Sequence, residues 1–483
     1  MGVAGAGMSA LALLARRRGV AVTGCDREAG AAVGEGAPSS AEDVRRAGGL
    51  VLAGHDPSHV TGARAVVVTA AVPQDHVELE RARALGIPIV RRADALAAAV
   101  APGRVVAVAG THGKTTTTVM TTEALAAAGL DPTGIAGGRV ASWSGNTRFG
   151  GEAIFVVEAD EYDRAFLALS AEVAVINNVE ADHLECYGSM DALEAAFAEF
   201  AGKAKRVIAG ADDPGAVRVA ARAGRPSWTV GVAAQADVRI RDLRQSAAGS
   251  TAAISLPAGS TVELRLGVPG AHNVRNAAAA LAVTLELGGV GALEPALGAL
   301  AGFTGVGRRF ERLGTAGGVT VVDDYAHHPT EIAATLEGAR QAYPGRRLVA
   351  VFQPHLYSRT AQHGEAMGRA LAGAVRGTGG GAKAGADVVV VTDVYAAREA
   401  PVEGVSGRLV AEAARAAGGG GVEVHWEPSR QDLTARVASL VREGDVVLTL
   451  GAGDVTAVGR ELLARLGGRV GGGGGGAATA ARR

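Results

Sequence analysis

The chain has 483 residues, 48% of them hydrophobic and 20% charged, so it holds enough apolar sequence for two to four packed domains and is not a disordered tail. Its 48 basic residues nearly cancel its 49 acidic ones, leaving a net charge of -1. That balance excludes a general attraction to nucleic acid or an anionic membrane, so any anionic ligand must be held by local groups.

Gly5, Gly7, Met8 and Ser9 open a helix expected over residues 10–17. Glycines at a helix N-terminus permit close approach of a pyrophosphate. The dinucleotide fingerprint G-x-G-x-x-G is not met, because Ala4 stands at its second glycine. Apolar runs at 20–23, 65–69 and 87–90 then alternate with helical stretches such as 77–85, the βαβ pattern of a parallel sheet. Next, the β-branched run 105–109 predicts a buried strand. It leads through Gly110, Thr111, His112 and Gly113 to Lys114, Thr115 and Thr116, and a helix continues past Met120 and Leu125. Amides left free at that helix start favour phosphate oxygens. Lys114 would reach the terminal phosphates, and the Thr115 hydroxyl would ligate magnesium. The motif is the short form G-x-x-G-K-T, since Val108 occupies the outer glycine position of the full pattern. A glycine turn with a surface lysine gives the same letters; the flanking strand and helix favour a nucleotide loop.

Two further strands, at 153–157 and 173–176, end in polar clusters. Glu158 leaves the first strand ahead of Asp160, Glu161 and Asp163, and is the best-placed carboxylate for a phosphate-bridging magnesium; the alternative is a solvated acidic loop. The second strand runs into Asn177, Asn178, Glu180 and Asp182, with His183 a candidate for a second magnesium or a phosphate, against a capping or surface role. A more β-rich stretch covers 228–266. Asn273 and Asn276 precede a helix expected over 277–287 and share a face, which suits adenine or phosphate and equally a plain helix cap. Arg308 and Arg309 sit at the expected hinge, where a guanidinium either bridges phosphates or is a solvated linker charge.

From Phe310 onward, strands at 319–322, 348–352, 388–391 and 446–450 alternate with helices, again a doubly wound pattern. Asp323, Asp324, Tyr325, His327 and His328 join the first of these to a helix with Pro329 and Glu331 in its first turn. Adjacent histidines without i,i+4 spacing or a cysteine disfavour zinc, and substrate binding or proton transfer fits better. Arg359, after the next strand, is suited to grip a carboxylate. The fold class is therefore α/β, with blocks at 1–101, 102–309 and 310–470 and a glycine-rich, disordered tail at 471–483. The glycine runs 377–381 and 418–421 are expected to be flexible loops. Cys25 and Cys186 lie in no metal spacing, which excludes a disulfide framework and makes a reducing cytoplasm the default. No run of about 18 apolar residues or signal-peptide pattern is found, so no membrane association is expected.

Residues 110–118, 158–163, 180–183, 272–276, 307–310, 323–331 and 352–360 resemble, in that order over nearly the whole chain, the Mur ligases of peptidoglycan synthesis. Within that family, G-x-A-G-x-G-M-S at 2–9, D-D-Y-A-H-H-P-T-E at 323–331 and F-Q-P-H-x-Y-S-R-T at 352–360 are most like members that take UDP-N-acetylmuramate and L-alanine. The resemblance implies three domains: a Rossmann-like N-terminal domain for the UDP-sugar, a central P-loop ATPase and a Rossmann-like C-terminal domain for the amino acid. It implies ATP and Mg2+ as cofactors. It gives ATP to Gly110, Thr111, His112, Gly113, Lys114, Thr115, Thr116, Asn273, Asn276 and Arg308 or Arg309, and the metals to Thr115, Glu158 and His183. Lys114, Glu158, His183 and His328 become the catalytic set. Tyr325, His328 and Arg359 fall on the amino-acid side, and Gly5, Gly7, Met8 and Ser9 border the UDP-sugar. The implied chemistry is an acyl phosphate attacked by an amine, with domain closure excluding water.

In that family a full strand precedes the N-terminal glycines, whereas here only Met1 does. The natural start is therefore expected upstream, and a sheet without that strand loses a central partner. Extra residues around 34–40 and near Gly380 read as insertions. The rival functions are a sister ligase attaching a recycled murein peptide, a nicotinamide-dependent oxidoreductase and a non-catalytic ATP switch. The oxidoreductase leaves Lys114 and the acidic strand end unexplained.

Overall fold

A computed structural model describes residues 1–30, 39–246, 248–257, 259–374, 385–397 and 399–470. The glycine run 377–381, the tail from 471 and most of the insertion expected at 34–40 lie outside these residues. The chain divides into two compact units. One comprises Met1–Leu243, Thr251–Gly267 and Asn273–Val306; the other comprises Arg244–Ser250, Val268–His272 and the chain from Gly307 onward.

The first unit begins with two short parallel ladders. Strand β1 (Thr23–Asp26) pairs with β2 (Leu50–Ala53), and β3 (Val66–Val68) with β4 (Ile89–Arg91). Residues 1–2 lie between them: the Met1 amine donates to Val67 O at 2.8 Å and Gly2 N to Cys25 O at 2.8 Å. The strand expected at 20–23 starts later, because Val20 N bonds back to Ala15 O (3.0 Å) and closes the helix Ala6–Arg17. The expected helix at 77–85 is present as Val77–Ala84.

A larger sheet follows. Its strands are β5 (Arg104–Ala109), β6 (Thr133–Val140), β7 (Gly145–Arg148), β8 (Ile154–Glu158), β9 (Val173–Ile176), β10 (Arg206–Gly210), β11 (Ser227–Gly231), β12 (Val238–Ser246), β13 (Gly249–Ser255) and β14 (Thr261–Leu266). Among the described residues its order is β14-β13-β12-β11-β10-β9-β5-β8-β6-β7. The strand β5 is buried on both faces. Val105, Ala107 and Ala109 join a core with Phe155, Val157, Ala174, Ile176 and the helix Met190–Gly202. Helix Lys114–Ala127 packs on β5, β6 and β8. Burial on both faces explains why β5 reads as an unbroken apolar run. Because β5 pairs in parallel with β8 on one side and β9 on the other, its C-terminal end opens a crevice where phosphate ligands bind in open α/β sheets.

The second unit holds β15 (Glu311–Ala316), β16 (Val319–Asp324), β17 (Leu348–Phe352), β18 (Val388–Val391), β19 (Glu423–Trp426) and β20 (Val446–Leu450), in the order β15-β16-β20-β17-β18-β19. Only β15, among the described residues, pairs antiparallel. Alternate residues feed two cores. Val322, Ala350, Phe352, Val389 and Leu448 pack under helices Pro329–Ala342, Tyr357–Leu371 and Gly407–Gly418. Val321, Val349, Val351, Val390 and Val447 pack under Arg430–Leu440 and Thr456–Val470. The doubly wound expectation for this block is thus met. The glycine run at 418–421 turns the chain after helix Gly407–Gly418, with Gly419 and Gly420 at φ 52° and 81°. Among the described residues no helix is long and apolar enough to cross a membrane.

Candidate active site

The loop after β5 is shaped by its own glycines and by β9. Gly110 and Gly113 adopt φ +134° and +79°, which glycine alone takes without strain. Asn178, just past β9, receives the Thr111 amide on its backbone oxygen (3.1 Å) and the His112 amide on Oδ1 (2.7 Å). Asn177 Nδ2 donates to His112 O (3.2 Å) and Thr117 Oγ1 (3.1 Å). Thr111 and His112 therefore spend these amides on Asn178. The first helical bond runs from Thr117 N to Gly113 O at 2.9 Å, so the amides of Lys114, Thr115 and Thr116 have no intrahelical acceptor. These three form the anion-binding end of the helix.

Lys114 folds back over the loop. Its Nζ donates to Gly110 O (2.7 Å), Thr111 O (3.2 Å) and Glu161 Oε1 (2.8 Å). Burial opposes its charge, but Glu161, Asp160 and Glu158 prevail and raise its pKa. On the other side of the helix start, Thr115 Oγ1 donates to Glu158 Oε1 at 3.1 Å, and Gly137 N to Glu158 Oε2 at 2.5 Å. Burial raises the pKa of both Glu158 and Glu161. Glu161 Oε2 is buried without a hydrogen-bond partner among the described residues. The Glu158 carboxylate and the Thr115 hydroxyl, hard oxygens desolvated beside a phosphate loop, fit magnesium, while Glu161 is taken up by Lys114.

Sequence reasoning singled out Glu158 but missed Glu161 as the partner of Lys114. Four acidic residues lie within 158–163, and only the folded chain shows that Glu161 is the one that reaches Lys114. His183 lies at φ 54°, with Nδ1 3.3 Å from Glu185 Oε1 and its ring 5.2 Å from that of Tyr162. Tyr187 OH also donates to Glu161 O at 2.6 Å. The segments after β8 and β9 thus touch through Tyr162 and His183 and through Glu161 and Tyr187. Asn273 and Asn276 do not precede a helix but lie inside it, because it starts at Ala271. Both are buried. A Cβ on Gly113 would stand 2.7 Å from Asn276 Oδ1, so Asn276 abuts the loop.

At the N-terminus, Gly5 caps helix Ala6–Arg17, and a Cβ on Gly7 would lie 2.5 Å from Arg92 Nη1. Met8 and Ser9 are buried. Ser9 Oγ donates to Ala6 O (2.9 Å) and accepts from Asn146 Nδ2 (3.3 Å), so its hydroxyl is engaged in holding the helix start.

In the second unit, Arg308 and Arg309 flank the Tyr325 ring, with guanidinium carbons 4.8 and 5.0 Å from its centroid. Arg308 Nη2 donates to Gly451 O (2.5 Å) and Gly453 O (3.2 Å), while Nε faces Asp323 Oδ2 at 3.4 Å. Arg308 is therefore a strut to the loop after β20. Arg309 lies 3.8 Å from Glu331. His328 caps helix Pro329–Ala342: its Nδ1 accepts the Thr330 amide (3.4 Å), and Glu331 accepts the amide of His328 (3.3 Å). Arg359 is buried in the first turn of its helix, Nη1 3.5 Å from His355 Nδ1.

Residues 1–104, 108–284 and 308–453 match, respectively, the catalytic, middle and glutamate ligase domains of the Mur ligase family. A UDP-N-acetylmuramate–L-alanine ligase of Kineococcus radiotolerans is 46% identical over 481 residues, covering 97% of this chain and 96% of that protein. The chain belongs to the Mur ligase family. A ligase of the same name from Streptomyces coelicolor is 43% identical to this Mur ligase over 96% of each chain. Among solved structures, a UDP-N-acetylmuramate–alanine ligase of Thermotoga maritima is similar at TM-score 0.78 and 29% identity, covering 96% of this chain and 97% of its own. A murein peptide ligase of Psychrobacter arcticus is similar at TM-score 0.68 and 27% identity, covering 96% and 98%.

Proposed function

We propose that this Mur ligase joins L-alanine to the lactyl carboxylate of UDP-N-acetylmuramate in the cytoplasm, with ATP cleaved to ADP and phosphate. The observation that carries the proposal is the placement of Lys114, Thr115 and Glu158 around the helix start at the end of β5. The names of the similar ligases supply the substrates. A carboxylate does not condense with an amine at neutral pH. Its oxygen therefore attacks the terminal phosphorus of ATP, giving an acyl phosphate and ADP. The amine of L-alanine then attacks the acyl carbon, phosphate leaves, and a proton is lost as the amide forms.

The Lys114 side chain and the amides of Lys114, Thr115 and Thr116 stabilise phosphate charge during transfer. Gly110, Thr111 and His112 shape that loop, and Asn273 and Asn276 border the nucleotide. Thr115, Glu158 and His183 would hold magnesium, which would neutralise phosphate charge when bound. Gly5, Gly7, Met8 and Ser9 form the helix start that borders the UDP-sugar. Tyr325, His328 and Arg359 line the amino-acid side, with Arg309 the arginine left to contact ATP. The proposed domains are 1–101, 102–309 and 310–470, in keeping with the three matched family segments.

Phosphate release is the test. It is expected only when UDP-N-acetylmuramate, ATP, magnesium and L-alanine are all present. The likeness to a murein peptide ligase makes a muropeptide amine the second reading. Release with muropeptide and not with L-alanine would favour it.

A further inference from the structure

The sequence places Cys25 in no metal-binding spacing, yet the fold surrounds it with ligand atoms from separate elements. Cys25 lies on β1, His55 follows β2, His59 sits in the 3-10 turn Pro57–Val60, and His76 and Glu78 begin the helix Val77–Ala84. Glu78 is wholly buried and Cys25 nearly so. Cys25 Sγ lies 3.1 Å from Glu78 Oε2, and His55 Nδ1 lies 3.2 Å from the same oxygen. His59 Nδ1 is 2.8 Å from the other oxygen, Oε1, which also accepts the Asp56 amide at 3.2 Å. The His76 ring stands edge-on to that of His55, 4.6 Å between centroids. No lysine or arginine forms an ion pair with Glu78 among the described residues.

A buried carboxylate usually pairs with a strong cation. This one faces three imidazoles and a thiol. Donor atoms of Cys25, His55 and Glu78 all lie within 4.8 Å of one another. Bonds of about 2.0–2.3 Å in a tetrahedral zinc site set ligand atoms roughly 3.3–3.8 Å apart, close to the 3.1 and 3.2 Å that separate Glu78 Oε2 from Cys25 Sγ and His55 Nδ1. Mixed sulfur, nitrogen and oxygen donors select zinc or a similar borderline cation over magnesium.

We propose that Cys25, His55 and Glu78 bind a zinc-class divalent cation, with His59 orienting the carboxylate and solvent completing the tetrahedron. The site ties together strand β1, the loop after β2 and the start of the helix Val77–Ala84. It shares no residue with the phosphate loop and takes no part in the proposed transfer.

The test titrates chelator-stripped full-length protein with cobalt(II), a spectroscopic substitute for zinc. One equivalent is expected to bind with a near-ultraviolet thiolate-to-cobalt absorbance, and zinc is expected to displace it. The Cys186→Ala variant, which leaves the cluster untouched, is expected to keep the band. Cys25→Ala should lose it, and His55→Asn should weaken binding at least tenfold. Folded wild-type protein without the band would overturn the proposal, as would a band that vanishes in Cys186→Ala.

Discussion

Lys114 and Glu161 form a 2.8 Å ion pair beneath the phosphate loop, with the glutamate side chain only 2% exposed. Neither partner can be removed without stranding the other in a desolvated site. Lys114→Ala is expected to lower phosphate release by about 10³-fold or more, since it removes a preorganised charge. It should also cost about 3–5 kcal/mol of stability by leaving Glu161 unpaired. The double variant Lys114→Met/Glu161→Gln should regain much of that stability but no activity. Thermal unfolding and phosphate release, measured side by side, separate the two effects.

Gly113 is held at φ +79° against Asn276, whereas Gly129 has φ +78° and nothing near its missing Cβ. An added methyl in the left-handed region costs about 1–2 kcal/mol at either position. Gly113→Ala must also displace Asn276 Oδ1, 2.7 Å from the new carbon. The expected outcome is at least a tenfold rise in KM for ATP in Gly113→Ala and an unchanged KM in Gly129→Ala. Steady-state kinetics at saturating L-alanine check it.

Glu158 receives Thr115 Oγ1 and the Gly137 amide, and burial keeps its pKa raised. A bound cation would reverse that penalty. Chelation of magnesium should stop phosphate release. Glu158→Gln should raise the half-saturating magnesium concentration at least tenfold while leaving the KM for L-alanine unchanged.

Asp324 provides a pH signature in the second unit. Its oxygens accept the amides of Phe310 (2.7 Å) and Ala326 (2.8 Å). Burial pushes its carboxyl up to about 6, with Arg309 opposing, against an ordinary value of 3.8. Between pH 4 and 6 the folded chain thus keeps a proton that the unfolded chain has lost. Stability contributed by this group is present below pH 4 and falls as pH rises to 6, by on the order of 3 kcal/mol. Asp324→Asn is expected to flatten this segment of the Tm–pH profile, although it loses one of the two amide acceptors. An equally steep profile in the variant would refute the assignment.

The local chemistry of the ATP side was legible because it is written contiguously. A strand, two glycines, Lys114 and Thr115 follow one another, and backbone geometry alone presents them. Strands buried on both faces, such as β5, β17 and β18, likewise show as unbroken apolar runs. Short, half-exposed strands such as β4, with its exposed Arg91, carry too little apolar signal to mark their bounds. Asn276 was ambiguous for another reason. Its importance comes from Gly113, 163 residues earlier, and no spacing rule connects them.

By itself, the sequence determined the order of elements, the family and the phosphate loop, because these depend on neighbouring residues and on periodic burial. Only the tertiary structure decided which carboxylate pairs with Lys114, that Arg308 braces the loop after β20, and that Cys25 meets His55 and Glu78. Those outcomes depend on through-space distances between strand ends, where one ångström separates a bonded partner from a bystander.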